Sequence, residues 1–146
     1  MAPAFSQQFC SLAPCGAGGR ITTGARMRNC LVQVCDGELT LIQAPATLVV
    51  KVPAASVEIV TPATLRKIGT AVVLKLDGRL LAVEFDGVYR RQRARASDKK
   101  PTLGTVVARA FSLSDITSLP KSLRLGRELS SEFTTALVAS GAGDRS

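Results

Sequence analysis

The chain of 146 residues has no histidine, no tryptophan and a single tyrosine, Tyr89, and aromatic residues make up 4% of it. Without histidine, no His-ligated metal centre, Ser-His-Asp triad or Cys-His dyad can be assembled from this chain alone. So few aromatic rings exclude a broad stacking platform for nucleic-acid bases. No apolar run reaches the roughly 18 residues that a transmembrane helix needs. The first residues also lack the continuous apolar stretch of a signal peptide. The one glycine-rich run, Gly16-Ala17-Gly18-Gly19, lacks the Lys-Ser/Thr step of a phosphate-binding loop and precedes no strand–helix unit. Carboxylates are sparse. Asp77 and Asp86 each precede a glycine, where turn chemistry accounts for them, and Glu84 has no second acid at catalytic spacing except Asp86. These absences point away from an enzyme and leave no cofactor to expect.

Apolar residues make up 46% of the chain, enough for one buried core. The net charge is +8 and is unevenly spread. Residues 1–28 carry Arg20, Arg26 and Arg28 and no acid, whereas residues 112–146 balance four bases against four acids. The excess between them concentrates in Tyr89-Arg90-Arg91-Gln92-Arg93-Ala94-Arg95-Ala96-Ser97-Asp98-Lys99-Lys100. A basic run of this kind favours anionic partners through long-range attraction.

The four cysteines fall in two Cys-x4-Cys spacings, Cys10 with Cys15 and Cys30 with Cys35. Zinc knuckles usually have shorter spacings, so we expect no metal. Cys30 and Cys35 fall on an expected strand, and their odd separation puts them on opposite faces. All four are expected to be reduced.

Residues 1–28 show neither a two-residue nor a 3.6-residue period. They are expected to form a disordered basic extension, compatible with a transit peptide or with translation starting later, at Met27. From residue 29 the pattern is β. Asp36-Gly37 and Asp77-Gly78 each separate two alternating runs and predict tight hairpins. Leu48, Val50 and Val52 are expected to point inward, as are Val57 and Ile59. Residues 62–69 are expected as a loop. In the second hairpin Val72, Leu74, Leu76, Leu81, Val83 and Phe85 face the core, while Glu84 faces water and pairs with Lys75. Residues 88–94 are expected as a basic edge strand, residues 97–104 as a loop and residues 105–111 as a further strand. Leu119, Leu123, Gly126, Leu129, Phe133, Ala136 and Leu137 then recur at helical spacing. Pro120 suits the first turn of that helix and Ser118 its cap. Gly126 suits close approach to a sheet, and Gly141 ends the helix. Residues 141–146 should fray. The polar face carries acids beside bases, which favours a helix packed on its own domain over one lying on a membrane.

These features resemble bacterial pleckstrin-homology-like (PH-like) domains. The resemblance rests on Gly37-Glu38-Leu39-Thr40-Leu41, on Leu48-Val49-Val50-Lys51-Val52-Pro53-Ala54-Ala55-Ser56-Val57-Glu58, on the Asp77-Gly78 hairpin ending in Phe85, and on the helix from Leu125 to Leu137. It spans residues 29–140. It implies a small barrel or sandwich of six to eight antiparallel strands capped by one C-terminal helix. It also implies a non-enzymatic module that binds lipid headgroups, peptides or proteins. The first hairpin is acidic here, with Asp36 and Glu38, so an inositol headgroup is not expected at the usual site of that family. Arg90, Arg91, Arg93, Arg95, Lys99 and Lys100 are the candidate surface, for a protein partner or an anionic membrane face. The expected setting is cytoplasmic, peripheral to the inner membrane face. A small β-barrel that binds nucleic acid, with these bases on phosphates and Tyr89 stacked on a base, is the alternative.

Overall fold

The computed structural model describes residues 4–16, 20–96 and 113–145. Eight strands form one sheet: β1 (Phe5–Cys15), β2 (Met27–Cys35), β3 (Glu38–Gln43), β4 (Thr47–Pro53), β5 (Glu58–Ile59), β6 (Ala71–Leu76), β7 (Arg79–Glu84) and β8 (Gly143–Asp144). Among the described residues three α-helices accompany them: α1 (Ala63–Ile68), α2 (Val88–Ala96) and α3 (Leu113–Ala139). The strand order is β4-β3-β2-β1-β7-β6-β5-β8, so β4 lies at one end of the sheet and β8 at the other. All neighbours are antiparallel except β5 and β8. The fold is mostly β with a C-terminal helix, and the sheet stays open. Among the described residues, no helix is long and apolar enough to cross a membrane.

Both expected hairpins form for the expected reason. Asp36 and Gly37 have φ of 51° and 77°, and Asp77 and Gly78 have φ of 49° and 77°. Two successive left-handed residues give a turn whose twist matches that of the flanking strands.

The first 28 residues depart most from expectation. Phe5–Cys15 is a central strand and not a disordered extension. Its first part pairs with β2, from Phe5 opposite Val34 to Leu12 opposite Met27. Its second part pairs with β7, from Ser11 opposite Glu84 to Cys15 opposite Leu80. Register shifts between Gln7 and Cys10 and between Cys10 and Leu12, with Phe9 at φ 66°, bend the strand between its two partners. Such bulges turn a strand from one sheet direction to another. They also break the two-residue period, and this is what hid the strand. Without β1, the β2–β4 half and the β5–β7 half would share no ladder.

The core is closed from above by α3. Leu129, Phe133, Ala136 and Leu137 are buried, and Phe133 sits between Phe5 and Phe85 with ring centroids 5.4 Å and 5.6 Å away. Gly126 lets the helix approach: a Cβ there would lie 3.0 Å from Thr70 Cγ2 and 3.3 Å from the Phe85 carbonyl oxygen. Gly141, at φ 111°, ends the helix as expected. The tail beyond it does not simply fray, because Gly143–Asp144 pairs with β5.

Smaller corrections follow from local geometry. Residues 62–69 contain α1, with Gly69 at φ 77° as its C-cap. Leu48 points outward and is 58% exposed, because a bulge pairs Leu41 with Val50 but Ile42 with Leu48. The extra residue, Val49, packs against the core in its place. Residues 88–94 are helical, so no basic edge strand exists there. Helix α3 begins at Leu113, which places Ser118 and Pro120 inside it and away from its start. The loop and strand expected at residues 97–111 lie outside the described residues.

Candidate functional site

The basic run begins where β7 ends. The chain turns at Asp86-Gly87 and enters α2, with the Val88 amide on the Phe85 carbonyl and the Arg91 amide on the Gly87 carbonyl. Arginine, glutamine and alanine are all good helix formers, and only Val88 and Tyr89 prefer strands. Val88 is buried and fixes the helix to the core. Ser122 ties α3 to the same turn by donating to the Asp86 carbonyl at 2.6 Å.

Arg91 points inward. Its guanidinium donates to the Phe9 carbonyl and to Ser11 Oγ, the latter at 2.5 Å. Both acceptors belong to the bend of β1, so Arg91 pins the corner of the sheet. Burial lowers its pKa, and Asp86 opposes that shift. Gly87 makes room for it, since a Cβ there would lie 2.5 Å from Nη2 of Arg91.

Of the six expected binding residues, the structure describes the side chains of two, Arg91 and Arg93. Arg91 belongs to the scaffold. Arg93 is exposed on α2. Arg90 and Arg95 are on the same helix, but their side chains lie outside the described part, and Lys99 and Lys100 lie outside it altogether.

Glu84 is also not where the sequence suggested. It is 6% exposed, and Arg26 holds it with a charge-assisted hydrogen bond of 3.0 Å from Nε to Oε1. Its expected partner Lys75 lies opposite Leu80, whereas Glu84 lies opposite Ala71. The β1–β2 connection brings Arg26 over this face. Burial raises the Glu84 pKa, and Arg26 works against that shift.

Cys10 and Cys30 lie directly opposite each other on β1 and β2 and are fully buried. Their thiols donate to the Gln7 and Met27 carbonyls. All four cysteines are free, and burial pushes the Cys10 thiol up to about 12. Cys30 and Cys35 do face opposite sides, one buried and one exposed. Among the described residues no cluster of His, Cys, Asp or Glu could hold a metal ion.

Among the described residues, two clefts bear on function. One, of about 1090 Å³, lies between the Phe9 bend, residues 44–46 and α2, and Arg91 in its wall is already spent on β1. The other, of about 980 Å³, runs beside β4 and is lined by residues 14–16, 49–52 and 76–81. Its walls include Val50, Val52, Leu76 and Leu81, each only partly buried and packed against the core. Lys51 and Arg79 on its rim are exposed and make no ion pair among the described residues; Asp77 is the acid nearby. Sequence reasoning missed this cleft. Its one trace was the unbroken triplet Leu48-Val49-Val50, which interrupts the alternation of β4.

A comparison with models of known families finds no match, and a comparison with curated proteins finds none similar to this chain.

Proposed function

We propose that the protein is a non-enzymatic adaptor on a PH-like scaffold and that it binds a segment of a partner protein in the cleft beside β4. The observation that carries this reading is the open sheet: an end strand of seven residues flanks a cleft of about 980 Å³ with apolar walls and a basic rim. Apolar concavities with a few polar groups on the rim are the usual form of a binding site. The PH-like assignment rests on the resemblance of residues 29–140, to which the mostly-β sheet and the docked C-terminal helix add support. The basic run at residues 90–100 supports a second reading, contact with an anionic membrane face, although Arg91 cannot take part.

The test is a selection from a displayed random peptide library against the full chain. Amide chemical shifts are then mapped with a selected peptide and, separately, with phosphatidylserine vesicles and a nucleic-acid duplex. The expected result is a selected peptide that shifts residues 49–52 and 76–81. Failure to select any peptide, with vesicles or nucleic acid shifting α2 instead, would replace this reading by the anionic-surface one.

A further inference from the structure

We propose that the occupant of this cleft is an extended peptide, alternating acidic and apolar, that adds to the sheet as a ninth strand beside β4. The proposal rests on the adaptor reading and specifies its ligand and its mode of binding.

The backbone supplies the first argument. Among the described residues β4 pairs only with β3, so past the bulge alternate backbone groups face away from the sheet, Pro53 offering only its carbonyl. At the other end of the sheet β8 is only two residues long. An exposed edge of this kind binds extended peptides through main-chain hydrogen bonds, and side-chain pockets select among them.

The side chains supply the second. Past the bulge, β4 alternates cleanly, with Val50 and Val52 turned toward the core and Lys51 outward and exposed. A strand laid beside it would alternate in phase. One set of its side chains would enter the cleft against Val50, Val52, Leu76 and Leu81, which calls for apolar residues. The other set would lie on the outer face as neighbours of Lys51, which calls for acids. Arg79 on the opposite rim adds to the same preference, in a chain of net charge +8.

Charge also decides against a second copy of this chain. Pairing β4 with β4 would bring Lys51 of each copy onto the same basic edge, and facing like charges destabilise a strand pair.

The experiment uses the full chain and a fluorescent peptide of sequence acetyl-Glu-Val-Glu-Val-Glu-Val-Glu-amide, with binding followed by anisotropy. Two further peptides carry N-methyl groups on the odd or on the even amides, and a fourth has Lys in place of Glu. The protein variants are Lys51→Glu and Arg79→Glu, both at exposed positions where folding should be unaffected. The acidic peptide should bind, and one of the two N-methylated versions should lose binding while the other keeps it. Each charge reversal should weaken the acidic peptide by about tenfold and strengthen the Lys peptide. If both N-methylated peptides bind as well as the parent, strand addition is overturned and the cleft reading stands. If the acidic peptide shifts α2 and leaves β4 untouched, both are overturned. If sedimentation shows a dimer that Leu48→Lys dissociates, and the peptide does not bind, the occupant is a second copy and the proposal falls.

Discussion

One buried carboxylate and two buried thiols show how much of this fold is settled by single residues. Glu84 is ionisable, buried and held by Arg26. Its pKa in the folded protein is raised, so the folded state holds that proton more tightly than the unfolded chain does. Its contribution to stability is therefore fully present below the ordinary carboxylate pKa and is lost as pH rises through the raised value. Urea midpoints measured upward from acid pH should fall over that window, and Glu84→Gln should flatten the fall. Arg26→Ala leaves the carboxylate buried without its partner, and at neutral pH should cost about 1–3 kcal/mol, the usual penalty for an unsatisfied buried group. Cysteine reactivity gives an independent check. Cys35 is exposed, whereas Cys10 and Cys30 are buried and their thiols are raised by desolvation. A disulfide reagent should label Cys35 first, and Cys10 and Cys30 only when the chain unfolds. Rapid labelling of Cys10 in the native protein would mean that β1 is not in the sheet.

At the scale of elements, β1 and α2 depend on each other. The strand bends at Phe9, and Arg91 of α2 satisfies the Phe9 carbonyl and Ser11 Oγ at that bend. Arg91→Met keeps the length of the side chain and removes its donors. It should lower stability by about 1–3 kcal/mol, read as a shift in the denaturant midpoint with the helical circular dichroism of the folded state preserved. An unchanged midpoint would mean that the corner does not need this side chain. The elements also differ in how far the sequence revealed them. Both Asp-Gly hairpins were legible because turn chemistry and alternation agreed over short spans, and α3 was legible through its stripe from Leu129 to Leu137. Strand β1 was not, because two register shifts and the polar residues Ser6, Gln7 and Gln8 erase its period. Helix α2 was misread because Val88 and Tyr89 suggest a strand, and its one inward polar anchor, Arg91, finds its partners about eighty positions earlier in the chain.

For the whole molecule, the decisive fact is the strand order. It makes β1 the middle of the sheet and β4 an end strand, and that order is set by pairings between β1 and β7 far apart in sequence. No local pattern encodes which strand will lie at an edge. The basic run drew attention because its charge is local and countable, whereas the cleft beside β4 exists only once the two halves of the sheet are joined. The most direct measurement is hydrogen exchange, residue by residue, on the full chain without ligand. The account predicts slow exchange at the bonded amides of β1, those of its first part held by β2 and those of its second part by β7. In β4 it predicts alternation, with amides bonded to β3 protected and those between them exchanging freely. Uniform protection along β4 would show its edge already covered, and rapid exchange along β1 would show the two halves unjoined; either result would contradict the account.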